Sequence, residues 1–165
     1  MDRLILFRHG KTEARAASGE DFDRALTQRG RTDARLTAEA LHSAGFQIDR
    51  ALVSAAVRAR QTWEVAAEVF PGAVLETRPE LYDADARALL AAARTPLART
   101  VVVVAHNPGL QVLAVALAGR AGARSYDAKL RQGLPTGAAA VFGFDGDAVE
   151  ALGLFFPADF GGGPD

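Results

Sequence analysis

Residues 100–119 read TVVVVAHNPGLQVLAVALAG, and this stretch decides the fold class. From Thr100 to Ala105 the residues are mostly valine, with no polar alternation. A strand of that composition is covered on both faces, as in a parallel sheet flanked by helices. Asn107-Pro108 then reads as N-cap and first helical position of a helix over 109–119. Strand, polar junction and helix follow one another directly, which is the repeating unit of an α/β domain.

Upstream the same alternation recurs. Residues 3–7 (RLILF) predict a short buried strand, and residues 11–26, polar and bearing Gly19, predict a loop. Helical spacing of Ala34, Ala38, Leu41 and Ala44 predicts a helix from Thr27 to near Gly45. A strand at 50–54 (RALVS) leads into a helix over 56–70, closed by Pro71-Gly72. A small strand at 73–77 and a helix from about Asp83 to Arg94 complete this part. Beyond Gly122 the chain reads as loop until 138–144 and 149–156, two strands joined by a hairpin turn at Asp145-Gly146. The expectation is a three-layer α/β/α sandwich with a mainly parallel sheet and an antiparallel C-terminal hairpin. Residues 1–160 read as one domain and 161–165 as a flexible tail.

Composition narrows the function. The chain has 165 residues and a net charge of -1, so it has no overall field for nucleic acid or an anionic membrane, and any anion site must be local. There is no cysteine, which excludes disulfides, thiol catalysis and thiolate metal sites. The three histidines, His9, His42 and His106, are widely spaced and form no helical ligand pair, so neither a metal nor a cofactor is expected. No apolar run approaches the roughly 20 residues needed to span a bilayer, and no signal-like segment opens the chain, which makes the cytoplasm the expected location. Lysine occurs only at Lys11 and Lys129, so nearly all basic side chains are arginine forks, which suit phosphate oxygens.

Ligands in open α/β sheets bind at the carboxyl ends of the strands. Three predicted strands end in reactive residues: Arg8-His9-Gly10, Ser54 with Arg58 one turn beyond, and His106-Asn107. Each has an ordinary structural reading alone: a hydrogen-bonded core histidine, a surface ion pair for Arg8, a solvated helix face for Arg58 and Arg60. Two histidines and two arginines at adjacent strand ends are better explained by a phosphate site, with the helix start after Asn107 adding N–H groups. Guanidiniums suit the oxygens of a transferring phosphoryl group, and a neutral imidazole is a competent nucleophile toward phosphorus. Nearby cations disfavour imidazolium and so keep such a nucleophile neutral. His42, in the last turn of its helix, is expected to complement the helix dipole.

Arg8-His9-Gly10 after an apolar strand also resembles the RHG motif of the histidine phosphatase superfamily, the phosphoglycerate mutase-like proteins. SAAVRARQT (54–62) resembles the family's S-P-x-x-R-A-x-Q-T segment, with Ala55 in place of proline, and VVAHN (103–107) resembles the strand bearing the second histidine. DRALTQRGRTDA (23–34), PELYDA (79–84), HNPGL (106–110) and LPTGAAAVF (134–142) look like the short SixA-type phosphohistidine phosphatases. The resemblance implies a phosphoglycerate mutase-like fold and a metal-independent hydrolase. His9 would become phosphorylated; Arg8, Arg58 and His106, with Asn107 nearby, would bind phosphoryl oxygens. His106 would serve as a positioned donor, neutral or cationic, rather than as a second nucleophile.

Larger members place a glutamate acid after the third strand, which brings Asp83, or else Glu80, to that position here. SixA-type members often lack such an acid, and Asp83 has an equal reading as helix N-cap. The implied substrate is phosphohistidine on a protein of histidine-phosphotransfer or phosphotransferase-system type. The alternatives are a small phosphorylated metabolite hydrolysed by a phosphomonoesterase, and a non-catalytic phosphate-binding module. The chain lacks the insertions with which mutases cover their substrate. The 11–26 loop is expected to face the substrate, and Arg15, Arg24 and Arg60 are candidate recognition residues.

Overall fold

The computed structural model describes residues 1–94 and 97–163. Its strands are β1 (Arg3–Arg8), β2 (Arg50–Ser54), β3 (Val74–Arg78), β4 (Thr100–Ala105), β5 (Ala139–Asp145) and β6 (Ala148–Phe155). Its helices are α1 (Gln28–Ser43), α2 (Val57–Ala67), α3 (Ala86–Ala93), α4 (Gly109–Arg120) and α5 (Arg124–Gln132). The sheet order is β3-β2-β4-β1-β5-β6. β3, β2, β4 and β1 run parallel, whereas β5 and β6 form an antiparallel hairpin on the β1 side.

β4 lies at the centre, and all six of its residues are buried. Its valines divide between two cores. Val101 and Val103 pack with Leu89, Leu110, Leu117 and Leu130 from α3, α4 and α5. Val102 and Val104 pack with Ala38, Leu41 and Trp63 from α1 and α2. This division is the period-2 geometry of a strand covered on both faces, and it makes the molecule the expected three-layer sandwich.

Thr27 caps α1, its hydroxyl accepting from Gly30 N at 2.9 Å, and Gly45 at φ +86° ends it. His42 lies in the last turn of α1, as expected, edge-on to Phe70. Four local expectations need correction. The first is α5, where the sequence suggested loop. Only Leu130 of that helix is fully buried, so its apolar signal was weak; the Asp127–Arg131 pair one turn apart and Gly133 beyond its end are the marks it does carry. The second is Asp85, not Asp83, as the N-cap of α3, accepting from Ala88 N at 2.8 Å. The third is Asn107, which caps nothing: α4 begins at Gly109, after a cis Asn107–Pro108 peptide, and the Asn107 amide donates to Leu134 O at 3.1 Å. The fourth is the hairpin turn, which is Gly146-Asp147, one residue later than expected. At the C-terminus, Gly162 N donates to Pro157 O and Gly163 N to Asp33 Oδ1. Residues 164–165 of the expected tail lie outside the described residues.

Candidate active site

β1, β2 and β4 are neighbours with matched direction, so the three strand ends converge. Arg8 is paired with Ala105 in register, which brings His9 beside His106. The two imidazole centroids are 5.1 Å apart with planes tilted by 50°. Both rings are almost wholly buried.

Gly10 allows this approach. Its backbone lies against Gly30 at the start of α1, where a Cβ on either glycine would overlap the other segment's backbone. Gly10 N donates to Thr62 Oγ1 at 3.0 Å, and that hydroxyl donates to Arg58 O at 2.7 Å. One threonine therefore ties the turn after β1 to the first turn of α2.

The hydrogen-bond partners fix the tautomers. His9 Nδ1 lies 2.8 Å from Gly10 O, a pure acceptor, so Nδ1 carries the proton and Nε2 holds the lone pair. Arg58 Nε donates to His106 Nδ1 at 3.3 Å, so the His106 proton sits on Nε2 and is donated to Ser54 Oγ at 2.8 Å. Burial pushes His9 down to about 3, with smaller contributions from His106, Arg58 and Arg8. Burial, then Arg58, pushes His106 down to about 4. His9 is neutral as expected, but desolvation rather than the neighbouring cations is the larger cause. A charged His106 is disfavoured in this arrangement.

Arg8 Nη1 donates to Leu134 O at 2.8 Å. With His9, Lys11, Thr12, Arg24, Arg58 and Thr136 it lines a cavity of about 310 Å³. Four cationic side chains in one small space make this an anion site. Asn107 and His106 line an adjoining cavity of about 260 Å³ with Tyr82, Asp83 and Asp85. Asp83 is thus brought to the His106 side and not into the cavity lined by His9. Glu80 is exposed and paired with Arg78 Nε at 2.7 Å; its own main-chain N–H first, and then Arg78, lowers its carboxyl pKa. Arg24 reaches the site, whereas Arg15 and Arg60 are exposed, and Arg60 donates to Ala55 O.

Two residues of the site had no role in the sequence reading. Asp21 accepts from Arg58, and Tyr82 donates its hydroxyl to Asp21 at 2.7 Å. Tyr82 lies within the PELYDA segment, but nothing local marks Asp21, whose partners are 37 and 61 residues away. Among the described residues no group of three or more His, Asp or Glu is placed to hold a metal ion. No helix among them is long and apolar enough to cross a membrane.

A strand-end arginine–histidine pair opposed by a second histidine and a helix-borne arginine defines a class, and the comparisons agree on it. Residues 4–89 match the histidine phosphatase superfamily (branch 1), and the chain belongs to that family. It is 37% identical over 123 residues to an uncharacterized protein of Picosynechococcus sp., covering 70% of this chain and 72% of that one. A protein from Agrobacterium tumefaciens assigned as the phosphohistidine phosphatase SixA superposes with a TM-score of 0.80 at 28% identity, over 93% of this chain and 96% of that one. The protein histidine phosphatase SixA in complex with tungstate superposes with a TM-score of 0.74 at 27% identity, over 95% and 98% of the two chains. The fold is the phosphoglycerate mutase-like fold of those structures, and the family and its SixA-like neighbours support phosphatase activity.

Proposed function

We propose that this protein is a metal-independent phosphohistidine phosphatase that acts on a phosphorylated protein through a covalent phospho-His9 intermediate. The observation that carries the reading is the state of His9: Nδ1–H held on Gly10 O, Nε2 unprotonated, and an imidazole that stays neutral down to about pH 3. Such a nitrogen needs no base to remove a proton before it attacks.

In the proposed first step the Nε2 lone pair forms a bond to phosphorus while the bond from phosphorus to the leaving imidazole breaks, and that imidazole departs with a proton. Arg8 and Arg58 neutralise the phosphoryl oxygens, and Asn107 flanks them. On this reading His106 acts as a neutral ring: its Nδ1 accepts from Arg58 Nε and holds that guanidinium beside the phosphoryl group. Water then attacks phospho-His9, inorganic phosphate leaves and His9 is restored. A nitrogen leaving group takes up a proton readily, so on this reading the departing imidazole takes its proton from solvent and no protein acid is assigned: Asp83 lies on the His106 side, outside the His9 cavity, and Glu80 is held by Arg78. The domain would span residues 1–160, and the partners would be cytoplasmic phosphotransfer or phosphotransferase-system proteins.

The likeness to SixA-assigned structures at 27–28% identity over nearly the whole chain, one of them with a bound tetrahedral oxyanion, supports this reading. The test is a side-by-side assay without added metal on a histidine-phosphorylated protein and a generic aryl phosphate, with wild type and His9→Ala. Preference for the phosphohistidine, lost in the variant, is expected. Preference for the ester would make the protein a small-molecule phosphomonoesterase, and turnover of neither would make it a phosphate-binding module.

A further inference from the structure

Arg58 is gripped from outside the strand-end motifs. The main-chain carbonyl of Asp21 accepts from Nη1 at 2.7 Å and its carboxylate Oδ2 accepts from Nη2 at 2.9 Å. The same Oδ2 accepts the Tyr82 hydroxyl at 2.7 Å, and Oδ1 accepts from Arg24 Nη1 at 2.9 Å. Arg24 is itself anchored, Nε to Glu13 O at 2.8 Å and Nη2 to Thr12 Oγ1 at 2.6 Å. Tyr82 packs edge-on against His106, 5.5 Å between centroids, and its ring centre lies 5.6 Å from Arg58 Cζ. One carboxylate on the 11–26 loop therefore links Arg58, Arg24 and the segment after β3.

The hydrogens of the guanidinium show what this leaves free. Arg58 has five N–H bonds. Nε–H goes to His106, and one hydrogen of each Nη goes to Asp21. One hydrogen on each Nη remains, and Arg58 lines the 310 Å³ cavity with Arg8 and His9 while Asp21 does not. The carboxylate thus holds the guanidinium from outside the space where an oxyanion would sit.

We propose that Asp21 is a positioning residue for Arg58, fixing its guanidinium so that an N–H bond left uncommitted faces a bound phosphoryl group. Asp21 is half exposed, so its charge is largely screened from an incoming anion, while the orientation it imposes is kept in full. Tyr82 serves as its anchor. This rests on reading Arg58 as a phosphoryl ligand.

The experiment measures tungstate binding by calorimetry, alongside kcat and KM, for Asp21→Ala, Asp21→Asn, Tyr82→Phe, Arg58→Ala and the double variant Asp21→Ala/Arg58→Ala. Asp21→Ala is expected to weaken tungstate roughly tenfold to a hundredfold, the usual size for loss of a hydrogen bond to a charged group. Asp21→Asn, which keeps an acceptor, should lie between it and wild type, and Tyr82→Phe should show a smaller loss. Adding Asp21→Ala to Arg58→Ala should cost nothing more. Tighter tungstate binding by Asp21→Ala would overturn the proposal, because Asp21 would then be a competitor for Arg58. Equal losses in both backgrounds would also overturn it and make Asp21 merely structural. Undiminished binding by Arg58→Ala alone would show instead that Arg58 is no phosphoryl ligand, so the underlying reading would be what failed.

Discussion

His9 and His106 face each other with ring centroids 5.1 Å apart, and each has its proton committed to a different partner: Gly10 O for His9, Ser54 Oγ for His106. Two like rings thereby become chemically distinct. One presents a lone pair on Nε2, and the other is held as a neutral ring beside Arg58.

That asymmetry predicts the outcome of substituting the nucleophile. His9→Ala should lower turnover by roughly three orders of magnitude or more, as expected when a covalent step is removed. The wild type, mixed with a phosphodonor, should acquire acid-labile, base-stable phosphate that the variant lacks. Residual activity within about tenfold of wild type would refute the covalent route.

Acid should destabilise the fold through the same two residues. An unfolded histidine takes up a proton near its ordinary value of 6.5, whereas buried His9 and His106 resist until about 3 and about 4. Between those values the unfolded chain binds more protons than the folded one, so stability rises with pH across that window and is complete above about 6.5. Melting temperature should therefore fall steadily from pH 6.5 toward pH 4, and less steeply in a His9→Asn variant. Imidazole resonances of His9 and His106 that titrate between pH 6 and 8 would contradict the burial argument.

Ser54→Ala strips His106 Nε2–H of its partner in a fully buried position. A buried donor without an acceptor costs about 1–3 kcal/mol. Denaturant unfolding should show a loss of that size, with reduced kcat as the His106 ring loses its orientation. Unchanged stability would mean that the ring finds another acceptor.

Gly10→Ala should be more damaging than its size suggests. The added methyl meets the backbone of Gly30 rather than a flexible side chain, so the turn after β1 must move. Overpacking of this kind costs about 1–3 kcal/mol, and the shift would carry His9 with it. Phosphatase activity should collapse while circular dichroism stays near wild type. Near-normal activity would show that the His9 turn tolerates displacement.

The layered fold was legible in local pattern because burial on both faces of β4 demands a continuous valine run, and Thr27 and Gly45 mark the ends of α1 chemically. α5 was not, since a helix that buries fully only Leu130 leaves almost no periodic signal. Arg8, His9, Arg58, His106 and Asn107 were legible as candidates because each sits at or just beyond a strand end. Which of them meet, and in what protonation state, depended on sheet order, since β4 inserts between β1 and β2 and brings residues 9, 58 and 106 together. Asp21 carries no local mark, and Tyr82 is marked only by lying within the PELYDA segment. Their roles come from hydrogen bonds spanning 37 and 61 residues, and contacts of that range exist only once the chain has closed on itself.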